Sequence, residues 1–225
     1  IRNLNNPMSV SALSTLTPSV NWEKFIKDSG VETRLDTIII TQPKYMAALN
    51  DFFKTTSIDD LKTLMTWSTL NGSAGYLTTT LEKERWEFYS KKLRGQMAMR
   101  PADERALGTV NNTVGEAIGQ LYVEAKFPPE AKEKAKNMIA YVIEAFQARI
   151  EKLDWMSPET KLKAIEKLDK FTVKIAYPDE WKDYSDLEIK EGNSYAENML
   201  AVSKWSMEEN IAEIGQKKKK KEWGM

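Results

Sequence analysis

The sequence predicts a mainly α protein, a lobe of many helices with at most one or two short strands. Apolar residues recur at steps of three and four over most of the chain, and capping residues precede many of these stretches. A β-rich composition occurs in one short run only, residues 36–41. With 225 residues the chain can bury a core, so we expect one large domain or two small ones.

The amino-terminal segment predicts two short helices separated by a proline. Ser9 or Ser11 begins the first, and Asn21 caps the second, which Gly30 ends. Residues 36–41 follow and predict either a short strand or a buried extended connector.

The next region predicts helices that begin at Pro43 and at the segment 57–60, a near-capping box with Asp where Glu is usual. Gly72 and Gly75 are expected to interrupt the second of these helices. Gly95 is expected to end the helix that follows. Two tryptophans of this region are expected to be packed aromatics rather than ligand platforms: Trp67 and Trp86.

Two long apolar stripes follow Pro101, and a pair of prolines, Pro128 and Pro129, separates them. The first stripe consists of Leu107, Val110, Val114, Ile118, Leu121 and Ala125. The second consists of Ala135, Met138, Val142, Phe146, Ile150 and Leu153. Gly115 and Gly119 lie one turn apart in the first helix, which predicts close approach of another helix. We expect both helices and the one that follows to form the packed heart of the fold.

That third helix has marked ends. Ser157 can cap its first turn, and Pro158 at the first helical position loses no needed hydrogen bond. Pairs of opposite charge are spaced four residues apart along it: Glu159 with Lys163 and Glu166 with Lys170. Pro178 disfavours helical geometry at the preceding residue, so we expect the segment to stop in an aromatic turn.

The remaining residues predict a loop and one last helix. Residues 182–193 are polar and are expected to form the loop. The segment 194–197 is a capping box that opens a helix running to Ile214, where Gly215 stops it. Five lysines, 217–221, then form either an anionic-surface patch or a solvated linker, and the linker is favoured.

Composition excludes several function classes. The 33 basic and 33 acidic residues balance, so no global field favours nucleic acid or an anionic membrane. No run approaches the roughly 18 apolar residues of a transmembrane helix, so we expect no transmembrane segment, and no signal peptide is visible. The chain has no cysteine and no histidine. Histidine-dependent catalytic triads, disulfides and histidine-based or cysteine-based metal sites are therefore impossible within it.

Several stretches of the chain resemble, in the correct order, the neprilysin-like zinc metallopeptidases, whose bacterial members include the oligopeptidase O type. The two longest matches are residues 119–127, Gly-Gln-Leu-Tyr-Val-Glu-Ala-Lys-Phe, and residues 153–179, from Leu-Asp-Trp-Met-Ser-Pro-Glu-Thr-Lys to Tyr-Pro-Asp. Shorter matches are 42–49, 92–95, 110–112 and 222–223. One departure is the lysine run, which replaces the Pro-Val-Asp-like link usual in the family.

The resemblance implies a two-lobed peptidase in which a helical lobe closes over a zinc-bearing lobe and admits short peptides. Residues 1–215 are expected to be the helical, chamber-forming lobe, and residues 216–225 the linker toward the protease lobe. Zinc is expected in that absent lobe and no cofactor in this chain. The expected partners are the protease lobe and peptide substrates, with no nucleic acid. No catalytic or metal residue can be assigned here, and substrate-binding residues stay unknown.

The resemblance favours a bacterial cell envelope or a secreted location and leaves the cytoplasm open. Two other functions stay open as well. The chain could be a free-standing helical interaction module without enzymatic activity, for which an exposed apolar face would also be suitable. It could instead be an enzyme that uses carboxylates alone, such as Glu116 and Glu124, although each is more simply a solvated or capping charge.

Overall fold

A computed structural model of the chain describes residues 4–31, 37–217 and 223. The predicted fold class is confirmed, because these residues form nine α-helices and only one sheet, which is antiparallel and has two short strands. The chain divides into two compact units. The first comprises residues 1–99 and 187–217, and the second comprises residues 100–186 and 218–225. Among the described residues, no helix combines the length and hydropathy needed to cross a bilayer.

The first unit contains two strands and six of the α-helices. These are β1 (Pro7–Met8), α1 (Val10–Leu16), α2 (Trp22–Asp28), β2 (Ile38–Ile39), α3 (Pro43–Thr55), α4 (Ile58–Ser73), α5 (Thr79–Trp86) and, after the second unit, α9 (Tyr195–Ala212). A 3-10 turn, Ala74–Tyr76, precedes α5, and a π-helical segment, Glu87–Lys92, follows it. The second unit contains α6 (Ala102–Lys126), α7 (Pro129–Lys152) and α8 (Pro158–Asp169).

The core of the first unit lies around α1, which packs against α2, α3 and β1. Leu13 is only 1% exposed. The buried Thr17 hydroxyl accepts a hydrogen bond from the indole nitrogen of Trp22 at 2.6 Å and donates to the Leu13 carbonyl at 2.9 Å. The buried Asn50 side chain accepts from the amide of Ser19 at 2.9 Å. Its buried polar groups therefore have partners, as a stable core requires.

The predicted strand is present but short, and its partner was not predicted. β2 pairs with β1 in antiparallel register, Met8 opposite Ile38. Asn6 extends the pairing, since its side chain donates to the Ile40 carbonyl and its own carbonyl accepts from the Ile40 amide, both at 2.9 Å. Asp36, the first residue of the predicted run, lies outside the described residues. The sequence did not predict β1 because this strand contains a proline, which is unfavourable in all but edge strands.

Helix caps were predicted well. The predicted caps that accept a backbone amide hydrogen bond are Ser9, Asn21, Ser57, Ser157 and Ser194. Ser9 rather than Ser11 therefore begins α1. The capping box of α9 is complete, because Glu197 accepts from the Ser194 amide at 2.7 Å. At the near-capping box, the shorter Asp60 instead accepts from the Ser57 hydroxyl at 2.7 Å.

Helix ends agree with the sequence except in detail. Gly30, Gly95 and Gly215 have φ values of +73°, +71° and +78°, which favour glycine. α9 ends at Ala212, two residues before the predicted Ile214. α4 passes through Gly72, and the predicted interruption is the 3-10 turn that contains Gly75. The expectation that Trp67 is packed is wrong for this chain, since 56% of its surface is exposed, whereas Trp86 is half-buried.

In the second unit α7 packs against α8, where Leu168 is buried. The Lys161 ammonium of α8 donates to the Glu151 carbonyl of α7 at 2.8 Å. α8 also carries its two predicted ion pairs on exposed side chains. α6 is irregular at Val114, where φ is −126° and ψ is 39°. The loop at 182–193 has neither helix nor strand.

The expectation that α6, α7 and α8 form a packed heart is wrong for this chain. Many large apolar residues of the two predicted stripes are exposed, and so is Leu162 of α8: the stripe residues are Leu107, Leu121, Met138, Val142 and Phe146. The physical reason is that the described residues of the unit that contact α6 and α7 cover only part of the two helices, so these stripe residues stay exposed.

Candidate functional site

The chain makes a sharp turn at the Tyr-Pro-Asp motif. Ala176 has φ of +65°, and it is the only non-glycine residue with positive φ in the described part of the chain. The Tyr177 amide donates to the Ile175 carbonyl at 2.9 Å, which closes a three-residue turn around Ala176. An L-residue with positive φ is strained, so surrounding contacts must hold this turn in place.

A buried lysine of α7 supplies those contacts. The Lys132 side chain is 9% exposed, and its ammonium donates to the Tyr177 carbonyl at 2.9 Å and to Asp179 Oδ1 at 2.8 Å. The same ammonium lies 3.9 Å from the centre of the Tyr177 ring. A buried cation is costly without partners, and here an anion, a carbonyl and an aromatic face are all provided. Lys132 therefore fixes the turn to α7.

The aromatic rings of the motif continue this attachment. Phe127, between α6 and α7, meets Tyr177 edge to face with ring centres 5.7 Å apart. Tyr177 stacks on Trp181 at 5.9 Å with the planes within 5° of parallel. The backbone amide of Lys182 donates to Glu116 Oε2 of α6 at 2.9 Å. Residues 175–182, which we call the strap, are thus attached to both α6 and α7.

The strap lies close to one of the two glycines for which we expected close packing, Gly119. A Cβ added to Gly119 would lie 3.6 Å from the Trp181 ring. The close neighbour of α6 at this position is therefore an aromatic side chain of the strap, and not the helix that the sequence led us to expect. Gly115 is half-buried one turn earlier, beside the irregular Val114.

A pocket of about 270 Å³ lies between α7 and residues 172–179. Its apolar lining comes from both elements and from one residue near the end of the chain: Ile139, Ala140, Ile143, Val173, Ile175, Tyr177 and Trp223. Its polar lining consists of Lys132, Lys136, Thr172, Lys174 and Asp179. The strained turn and the buried lysine therefore form one end of a partly apolar cavity.

Two groups of this unit have raised pKa values. Glu133 accepts a hydrogen bond from Lys136 at 3.1 Å, and that hydrogen bond and the negative charge raise the pKa of Lys136. Burial raises the pKa of Tyr184, just beyond the strap. Both groups keep their protons at neutral pH, so neither is poised for proton transfer.

The carboxylates considered for a histidine-free enzyme do not form a catalytic pair. Glu116 accepts from the strap, while Glu124 accepts from the Gln120 side chain at 3.2 Å. Eight residues of helix separate the two, about 12 Å along the axis. No group of three or more acidic side chains in the described ranges could hold a metal ion. With neither histidine nor cysteine in the sequence, this chain's residues do not fit a zinc site.

Sequence reasoning missed Lys132 and the strap. The Tyr-Pro-Asp motif was recognised as a turn, but the lysine that binds it lies 45 positions before Tyr177. Its only local signal is its position in the first turns of α7, one turn before Ala135 and on the same side as the predicted apolar stripe. One sequence without aligned relatives does not reveal such a pair.

Comparison with known proteins identifies a matching family and several similar sequences. The sequence profile of peptidase family M13 matches residues 1–178. An endothelin-converting enzyme homologue of Locusta migratoria is 28% identical over 239 residues, which cover 99% of this chain and 33% of the homologue. Human neprilysin is 30% identical over 199 residues, which cover 85% of this chain and 26% of neprilysin.

A solved structure has the same fold. The cryo-EM structure of the Mycobacterium tuberculosis zinc metalloprotease Zmp1 in its open state matches 99% of this chain with a TM-score of 0.86 and 29% identity. The match covers 34% of the Zmp1 chain. The present chain therefore spans between a quarter and about a third of the length of these relatives.

Proposed function

The chain belongs to peptidase family M13, and from that premise we propose that it is the helical, non-catalytic part of a zinc metalloendopeptidase that hydrolyses short peptides. The observation that carries the proposal is that nearly the whole chain aligns with about a third of a zinc metalloprotease. Zinc and the groups that activate water then belong to polypeptide outside this chain, because its own residues do not fit zinc.

We assign to this part the role of chamber wall, which restricts access of large substrates to the zinc site. The exposed apolar residues on α6 and α7 support a surface that another part of the protein covers. The partner is the protease lobe of the same protein, and the substrates are peptides short enough to enter.

The test uses the natural polypeptide that contains this chain together with its flanking sequence. We expect it to cleave short peptides in a chelator-sensitive reaction and to leave large folded or unfolded proteins uncut. The 225-residue chain by itself is the control. It should neither bind zinc stoichiometrically nor cleave peptides, and a chelator-sensitive peptidase activity in that control would refute the proposal.

A free-standing interaction module is the second candidate, and the same exposed apolar residues favour it. The two candidates differ in what covers those residues. A natural polypeptide with no zinc-dependent activity, whose α7 stays exposed, would support the module.

A further inference from the structure

We propose that residues 171–175 form one strand of a sheet that the polypeptide following Trp223 completes, and that Trp223 anchors this pairing in the pocket between α7 and residues 172–179. The inference rests on the proposed function, in which the polypeptide beyond this chain forms the protease lobe. Three features of the second unit support it: the sequence of residues 171–175, their unpaired backbone and the position of Trp223.

Residues 171–175 have the composition of a strand. The segment reads Phe-Thr-Val-Lys-Ile, and all but Lys174 are β-branched or aromatic. Such residues are enriched in strands, because they fit a pleated, half-buried surface. The segment nevertheless has neither helical nor strand structure, and most of its residues are exposed. A strand forms only beside a neighbour, and the described residues provide none for this segment.

The backbone of the segment has unused hydrogen-bonding groups. Within the described residues, Thr172 and Val173 make no hydrogen bond, and the Ile175 amide donates to no other group. Alternate residues of a strand direct their backbone groups to the same edge, so Val173 and Ile175 would pair with one neighbour. The Ile175 carbonyl accepts from the Tyr177 amide at 2.9 Å, which leaves both amides and the Val173 carbonyl for that neighbour. Groups of this kind bind an added strand.

Both ends of the segment are fixed within the second unit. At its start, the Phe171 amide donates to the carbonyl of the buried Leu168 at 3.1 Å. At its end, Lys132 holds the strained turn around Ala176 against α7. A segment that is already fixed loses little conformational entropy when a strand is added, so this attachment favours pairing.

Trp223 indicates which polypeptide supplies the added strand. It is half-buried, and it lines the pocket together with aliphatic residues of α7 and of the segment: Ile139, Ile143, Val173 and Ile175. An indole among aliphatic side chains offers a large apolar surface for anchoring the chain at this point. The polypeptide that continues from Trp223 therefore starts beside the unpaired edge of residues 171–175.

The test is amide hydrogen exchange with residue resolution, in the natural polypeptide and in the isolated 225-residue chain. We expect the Val173 and Ile175 amides to exchange about 100-fold or more slowly in the natural polypeptide, because exchange then requires the added strand to open. In the isolated chain both should exchange nearly as fast as in an unstructured peptide. Thr172 is the internal control, since its amide faces the opposite edge and should be slowed far less.

Three variants of the natural polypeptide test the anchor. Trp223→Ala should speed exchange at Val173 and Ile175 by about tenfold or more, because the added strand then opens more often. Trp223→Phe keeps an aromatic ring and should retain most of the protection. Trp155→Ala is the matched control, because Trp155 belongs to the same unit, is 74% exposed and lies outside the pocket. Circular dichroism checks that each variant keeps its helices.

The proposal is overturned if Val173 and Ile175 exchange equally fast in both proteins, if Thr172 is slowed as much as they are, or if Trp155→Ala acts as strongly as Trp223→Ala. Protection in the isolated chain that rises with its concentration would assign the edge to a second copy and would also overturn the proposal. Peptidase activity is measured on the same natural polypeptide. An active peptidase with fast exchange at Val173 and Ile175 retains the proposed function and overturns the pairing. An inactive polypeptide with slow exchange overturns the proposed function and retains the pairing.

Discussion

At the scale of single residues, Lys132 is a buried, charged side chain that holds a strained turn in place. Its ammonium meets Asp179, the Tyr177 carbonyl and the Tyr177 ring, while its stem lies in the packed interior of the second unit. The partner carboxylate is 66% exposed, so water can solvate Asp179 when the lysine is lost. The Tyr177 carbonyl would lose its cationic donor, and the strained turn would lose its attachment.

We therefore predict that Lys132→Met lowers the free energy of unfolding by about 1–3 kcal/mol, the range for a buried polar group that loses its partner. Methionine retains most of the side-chain volume, so the change isolates the charge. Lys134→Met on the exposed side of α7 is the control, and it should stay within about 0.5 kcal/mol of wild type. Urea unfolding of the three proteins makes the comparison, and equal midpoints would show that the strap is held by other contacts.

Ala176 tests the strain in the same turn. With φ at +65°, a glycine there should be tolerated or should stabilise by up to about 1 kcal/mol, because glycine has no Cβ penalty in this region. Ala176→Val should destabilise, since a β-branched side chain is least compatible with positive φ. Thermal melts would order the proteins as Gly at or above Ala and Ala above Val. A valine variant as stable as wild type contradicts the turn geometry.

At the scale of elements, α6 contacts the Trp181 ring of the strap at Gly119, a helix position without a side chain. Gly119 lies five residues beyond the irregular Val114, and the added Cβ would make an ordinary contact of 3.6 Å with Trp181. Alanine therefore fits without displacing the ring, and a longer side chain does not.

We predict that Gly119→Ala raises stability by up to about 1 kcal/mol through helix propensity. Gly119→Leu should lower it by about 1–3 kcal/mol, because Trp181 must move. Gly108, in the same helix with open space around its Cβ position, is the matched control, and leucine there should stabilise. Thermal melts compare the stabilities of the variants, and a Gly119→Leu protein as stable as wild type would contradict the contact with Trp181.

The capping box of α9 predicts a pH dependence. Hydrogen bonds from the Ser194 hydroxyl and amide lower the pKa of Glu197. A lowered pKa in the folded state means that the stabilisation is complete above the unfolded pKa, near 4.3, and is lost as the pH falls through the folded value. Glu197→Gln keeps an acceptor but does not titrate. The melting-temperature advantage of wild type over this variant should be constant above about pH 5 and should shrink below about pH 4.

The elements that sequence predicts best are those whose signals are local. Capping at Ser57 and Ser194, and termination at Gly95, depend on residues within one or two turns, and all are present. β1 and the Lys132–Asp179 pair depend on residues 30 or more positions apart, so a single sequence contained no local signal for them. The helical stripes were found correctly, but periodicity reports which face is apolar and not what covers it.

At the scale of the whole molecule, the helices carry more apolar surface than the described residues cover. α7 shows it most clearly. Its groove around Met138, Tyr141 and Val142 is exposed, although the spacing of these residues is that of a buried helix face. A contiguous exposed apolar surface favours either a covering partner or self-association. The isolated chain should therefore bind a hydrophobic dye or self-associate.

The absence of cysteine makes the covering partner testable, because an introduced thiol is the only one in the chain. Met138→Cys places a thiol in the groove of α7, and Met97→Cys places one at a position that is 94% exposed. In the isolated 225-residue chain at low concentration, both thiols should react with a maleimide at similar rates.

In the natural polypeptide, a protease lobe over α7 should slow the reaction of the thiol at position 138 by roughly tenfold or more, since reaction then requires local opening. The thiol at position 97 should be unaffected. Peptide mapping by mass spectrometry reads each site separately, whatever cysteines the flanking sequence contains. Equal reactivity at position 138 in both proteins would place the protease lobe elsewhere and leave α7 as the surface of an interaction module.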